Sequence, residues 1–307
     1  PGRGEPPRPF PDTGESQTDW RRDVQLARDR ADAAALQAAR LYDEQLRASP
    51  DGAPPDIPDV AVSWHWETVG VTDGDVQLRV YRPEISGPLP VVLFVHGGGF
   101  WMGGGAAGFD LNDALCREVA AQLGAIVINV DHRLAPEYRF PIPLQDLWTV
   151  LQWVPGNAER LGVDPSRIAL YGISSGGNLV AAASQLAHDH GGPEIRGQVL
   201  QCPSVNLSLA SGRFADDVSE AELEDARNVV AMYVGDADAT DPSVSPGLRP
   251  DLAGLPPALF VVAEFDHLTA DSHEYARRLS EAGVPVTYRS LPMTHTVAAP
   301  ADFRPPP

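Results

Sequence analysis

From about residue 60 almost to its end the chain alternates short β-branched apolar runs with helical stretches, and this rhythm restricts the fold more than any other feature. Runs such as VVLFV at 91–95 and AIVINV at 125–130 are apolar at nearly every position. A strand with one wet face alternates polar and apolar residues, whereas unbroken apolar strands suit a sheet covered on both sides by crossover helices. Strands are expected at roughly 61–70, 76–82, 90–95, 125–131, 167–171, 197–202, 258–263 and 285–290. Helical patterns lie between the later ones, at about 110–123, 144–154, 175–189 and 270–282, the last closed by Gly283. The expected fold class is therefore α/β, a mostly parallel, doubly wound sheet with helices on both faces.

Two pieces stand outside the rhythm. Between about Trp20 and Leu46, apolar Val24, Ala27, Ala31, Ala34, Ala38 and Leu41 recur at spacings of three and four among charged residues, which predicts an amphipathic helix. It runs into the linker SPDGAPPDIPD. Residues from about 204 to 250 separate two strands and carry a helical pattern from roughly Ser219 to Tyr233. The segments 19–55 and 204–250 are thus candidate cap elements over a catalytic domain formed by 56–203 and 251–307. Residues 1–18 and the terminal FRPPP, rich in Pro and polar residues, are expected to be extended tails.

Charge excludes some partners. The 307 residues hold 23 Lys and Arg against 42 Asp and Glu, a formal charge of −19, which repels nucleic acid and anionic membrane surfaces alike. No run approaches the roughly 18 apolar residues of a membrane span, and the first residues lack the apolar region of a signal peptide, which is absent or already removed; a cytoplasmic location is expected, with secretion after signal removal as the alternative. Cys116 and Cys202 have no metal-type or redox-type neighbours at short spacing and are expected to pack as small apolar residues. Neither a cofactor nor a metal is expected.

In ALYGISSGGNLVAAA, residues 169–183, Gly172-x-Ser174-x-Gly176 follows a strand and opens a helix. A nucleophile on such a sharp turn is lifted off the sheet, and glycines two residues away on either side remove the side chains that would clash there. Ser174 is the centred serine. Ser175 fits worse as a nucleophile, but its backbone N–H lies at a helix N-terminus and can point at an anion.

The triple glycine of VVLFVHGGGFW, residues 91–101, lets the backbone turn N–H groups toward a ligand. Gly98 and Gly99, with Ser175, are the expected oxyanion donors, and His96 is expected to anchor the loop. A phosphate loop would need the Lys and Ser/Thr that are missing here.

Serine needs a base, and the base an orienting carboxylate. His295 in LPMTHTV follows the last strand and Asp266 in VVAEFDHL the one before it, so both fall at the carboxyl edge of the sheet. Ser174, Asp266, His295 is the chain order expected on an α/β-hydrolase sheet. His267, Glu264 and Asp271 are rival groups in the same stretch.

With these pieces the chain resembles the hormone-sensitive-lipase-like branch of the α/β-hydrolases, the bacterial family IV esterases, from about residue 60 to 297. The likeness rests on HGGGFW, VDHRLAPEYRFP at 130–141, GVDPSRIALYGISSGGNL at 162–179, DPSVSPGL at 241–248 and LPPALFVVAEFDHL continuing to EAGVPVTY. The resemblance implies a Ser174–His295–Asp266 triad, an oxyanion hole from Gly98, Gly99 and Ser175, and a helical cap. It also makes Asp131, Arg133 and Glu137 organisers of a loop near the site. The chain departs from the family pattern at Ile173, Ser175, His267 and Thr296-Val297.

Phe100, Trp101 and Met102 after the oxyanion loop, with Phe214, Met232 and Tyr233 in the cap segment, are the expected lining of an apolar cleft. The expected activity is that of a serine carboxylesterase acting on small or medium hydrophobic esters through an acyl-enzyme, as a monomer or homodimer. A lactonase or acyltransferase would use the same parts, and a hydrolase-like module that binds a hydrophobic small molecule without hydrolysis is the competing class.

Overall fold

The computed structural model of the protein describes residues 21–22, 24–35, 37, 60–209 and 220–295. All the expected strands form: β1 Val62–Val71, β2 Gly74–Pro83, β3 Leu89–Val95, β4 Ile126–Asp131, β5 Val163–Ile173, β6 Ile195–Gln201, β7 Ala258–Phe265 and β8 Val286–Thr294. They build one eight-stranded sheet in the order β1-β2-β4-β3-β5-β6-β7-β8. β2 pairs antiparallel with both β1 and β4, and all other pairs are parallel. β5 is longer than its sequence pattern implies, because Val163 pairs with Leu89 beyond a register irregularity.

The helices are α1 (residues 24–35), α2 Gly105–Leu111, α3 Asp113–Leu123, α4 Ile142–Gly156, α5 Ala158–Leu161, α6 Ser175–His190, α7 Glu220–Val234 and α8 Thr269–Glu281. They cover both faces of the sheet, which is why its central strands carry no polar alternation. Val91, Leu93 and Val95 of β3 join one core with α4, α6 and α8, while Val92 and Phe94 join a second with Cys116 and Ala120 of α3. The period of two along the strand divides its side chains between the cores.

The N-terminal segment is helical over 24–35, within the expected span, and its Arg28 and Asp32 both tie it to neighbouring loops. Arg28 donates from Nε to the Trp101 carbonyl at 2.6 Å and from a terminal nitrogen to the Ala135 carbonyl at 3.0 Å, and pairs with Glu137 at 2.8 Å. Asp32 accepts the Gly103 N–H at 2.9 Å. The tails 1–18 and 303–307, the linker and Phe214 lie outside the described residues. Among the described residues no helix is long and apolar enough to cross a membrane.

Candidate active site

β5 ends at Ile173, α6 begins at Ser175, and the residue between them carries the turn. Ser174 has φ 54° and ψ −115°, a conformation that residues bearing a Cβ seldom adopt. Three backbone hydrogen bonds hold it there. Its N–H donates to the Gln201 carbonyl at 2.8 Å, and its own carbonyl accepts from Ser204 at 3.1 Å and Asn178 at 3.2 Å. The flanking glycines are obligatory. A Cβ on Gly172 would lie 2.2 Å from the Gly176 carbonyl oxygen, and one on Gly176 would lie 2.2 Å from that of Val95.

The glycine loop after β3 packs directly against this elbow. Its Trp101 and Met102 N–H groups both donate to the Gly98 carbonyl, at 3.1 and 3.0 Å, and close the bend. Gly98 has φ 118° and Gly99 φ 58°. His96, as expected, holds the loop from behind: its Nδ1 is 2.7 Å from the Gly97 carbonyl, and its ring stacks on His132 with centroids 4.4 Å apart. Gly99 and Ser175 border the same cavity as Ser174 and His295.

Parallel pairing of β7 and β8 brings the other two groups together. Phe265 and Thr294 are register partners, so Asp266 and His295, the next residues of each strand, leave the same edge side by side. His295 Nδ1 lies 2.7 Å from Asp266 Oδ2, and His295 Nε2 lies 2.9 Å from Ser174 Oγ. Asp266 Oδ1 accepts the Leu268 N–H at 2.9 Å, which fixes the carboxylate at the entry to α8. Burial pushes the Asp266 carboxyl upward, but the hydrogen bond and charge of His295, the Leu268 amide and the charge of His267 outweigh it and hold the group below the ordinary aspartate value.

The rival groups take other positions around the site. Asp271 faces Asn206 at 3.4 Å. Glu264 is exposed. The Nδ1 of His267 lies 3.5 Å from Asp266 Oδ1, with its ring centroid 5.6 Å from that of His295. A hydroxyl, an imidazole and a buried carboxylate in this sequence of contacts can deprotonate the hydroxyl as it attacks a carbonyl.

Above Ser174 opens a cavity of about 330 Å³. Phe100, Leu207 and Leu209 form one apolar wall, Ala226, Val229 and Val230 of α7 form another, and Asn206 and His267 add polar edges. This corrects part of the expected lining. Phe100 does face the cavity, but Tyr233 is fully buried behind it, stacked at 3.8 Å with an interplanar angle of 5°. Trp101 and Met232 are half-buried and pack on the main core, while Met102 closes the glycine bend. The reason is helical periodicity: residues 226, 229 and 230 of α7 share a face toward the cavity, and Tyr233 continues that face deeper into the core. That spacing is visible in the sequence; the side the helix turns to the cavity is not.

The loop organisers occupy structural positions. Asp131 accepts the Gly105 N–H at 2.9 Å, and Arg133 makes a bidentate pair with the fully buried Asp146, at 2.6 and 3.0 Å.

The chain is similar in sequence and fold to known proteins. A family model described as alpha/beta hydrolase fold matches residues 92–298. Carboxylesterase NlhH of Mycobacterium tuberculosis is 40% identical over 277 residues, spanning 86% of this chain and 82% of that protein. An arylesterase of Saccharolobus solfataricus is 37% identical over 226 residues, 71% of each chain. Among solved structures, the hyperthermophilic esterase of the archaeon Pyrobaculum calidifontis superposes with a TM-score of 0.74 at 32% identity, covering 89% of this chain and 84% of that one.

Proposed function

Because this chain belongs to the α/β-hydrolase fold family, in its hormone-sensitive-lipase-like (family IV) branch, and is a serine carboxylesterase, we propose that Ser174, His295 and Asp266 are its catalytic triad. Ser174 Oγ attacks the ester carbonyl while His295 Nε2 takes its proton, and Asp266 keeps the ring in the required tautomer and stabilises the imidazolium that forms. The carbonyl oxygen becomes an oxyanion, received by the N–H groups of Gly98, Gly99 and Ser175; one such donor contributes about 10²–10³ in kcat. His295 then returns the proton to the departing alcohol. Water cleaves the acyl-enzyme by the same steps in reverse order.

One observation carries this reading: the continuous run from Ser174 Oγ to His295 at 2.9 Å and from His295 to Asp266 at 2.7 Å. The apolar walls and the volume of about 330 Å³ favour small or medium acyl groups or aromatic esters. α7, which lies over the cavity, and α1, which braces the loop after Gly99, serve as the cap.

p-Nitrophenyl esters of graded acyl length, together with a serine-directed phosphonate, test the proposal. Turnover that falls off for long acyl chains and labelling at Ser174 are expected, both abolished in Ser174→Ala. Full esterase activity in Ser174→Ala would refute the assignment, and absence of both turnover and labelling in the native chain would favour a non-hydrolytic binding module.

A further inference from the structure

The two cysteines differ in setting. Cys116 is fully buried in the second core, whereas Cys202, just past β6, has φ 43°, again a value unusual for a residue with a Cβ. Its N–H is tied to the Val261 carbonyl at 2.8 Å. Its thiol meets the Asp266 side chain and the Ala263 backbone. The Cys202 sulfur, an Asp266 carboxylate oxygen and a His295 ring nitrogen all lie within 4.8 Å of one another. Any three atoms so placed share a point no more than about 2.8 Å from each, and zinc takes such ligands at about 2.0–2.3 Å. Closing the site takes an approach of the sulfur and an opening of the His295 Nδ1–Asp266 Oδ2 pair, now 2.7 Å apart, each of about half an ångström. The mixed sulfur, nitrogen and oxygen set selects thiophilic or borderline ions over magnesium or calcium.

We propose that Cys202, Asp266 and His295 form an inhibitory site for a thiophilic divalent cation, zinc or cadmium, entered from the ester cavity. On binding, the S–H bond of Cys202 breaks, its proton leaves to solvent, and a metal–sulfur bond forms. His295 gives its Nδ1 lone pair to the ion, and the ring proton moves from Nδ1 to Nε2. Thiolate and carboxylate together balance the two positive charges, so no net charge is buried. The ring is then in the wrong tautomer: Nε2–H points at Ser174 Oγ and cannot accept its proton. The loss of turnover rests on the triad reading above; the binding of the ion does not.

The test titrates the full chain with zinc chloride and cadmium chloride, following both p-nitrophenyl acetate hydrolysis and the ultraviolet cadmium–thiolate charge-transfer band. One equivalent of cadmium is expected to raise the band and suppress turnover, with EDTA reversing both. Cys202→Ala, and Cys202→Gly, which suits the positive φ, are expected to lose the band, retain turnover and need at least about tenfold more ion for inhibition. Cys116→Ala is expected to keep the band. Equal sensitivity in the native chain and the Cys202 variants would overturn the proposal, as would a native chain with no band or a band that leaves turnover intact. A band in a native chain that hydrolyses no ester would uphold the ion site and count against the triad reading alone.

Discussion

His295 stands with its Nε2 2.9 Å from the Oγ of Ser174, across 121 residues of sequence. Since Asp266 accepts from the other ring nitrogen, Asp266→Asn leaves the shape but offers the wrong partner to Nδ1. A fall in kcat of about 10⁴ is expected, with KM for p-nitrophenyl butyrate nearly unchanged, measurable by steady-state assay.

Gly176→Ala and Gly156→Ala test the close approach at the elbow. The first places a Cβ against the Val95 and His96 carbonyl oxygens, at 2.2 and 2.5 Å, and nothing lies within 4 Å of the second. Gly176→Ala is expected to be insoluble or to unfold well below the native chain, while Gly156→Ala stays within about 1 kcal/mol of it. Guanidinium denaturation of the two variants reads the contrast directly.

Arg28→Ala removes one of the ties between α1 and the loop after Gly99. It leaves the largely buried Glu137 without its cation and the Trp101 and Ala135 carbonyls without this donor. A destabilisation of about 3 kcal/mol is expected, with a lower kcat because Trp101, two residues past Gly99, closes the glycine bend by donating its N–H to the Gly98 carbonyl. Arg28→Lys, which cannot reach all three acceptors, is expected to recover only part of both in calorimetry and assay.

His132 is fully buried and pushed down to about 3, by burial first and by the neighbouring His96 second. Its native value lies below the unfolded value of about 6.5, so the unfolded chain takes up a proton that the folded chain refuses. The contribution is therefore complete above about pH 6.5 and declines as pH falls. Between pH 6.5 and 5 the native chain is expected to lose about 2 kcal/mol more than His132→Gln, by chemical denaturation at each pH. Parallel stability curves would contradict this.

Much of the site was legible because its demands are local. The strands announced themselves as β-branched runs, and Gly172 and Gly176 mark the elbow since only a hydrogen fits against the neighbouring carbonyls. The lining was less legible. Tyr233 and Met232 look like cleft residues by composition, yet Tyr233 stacks behind Phe100, and Val229 and Val230 take the places that line the cavity. Asn206 and His267 also reached the cavity without a distinguishing sequence signal.

The linear order of residues determined the elements, the elbow and the chain order of Ser174, Asp266 and His295, for these depend on propensity and steric need within a few positions. Tertiary structure alone decided which strand neighbours which, and with it the meeting of Asp266, His295 and Cys202 at one sheet edge. Those contacts arise from the register of β6, β7 and β8, which is set by burial of whole faces against the helices and is encoded in no short segment.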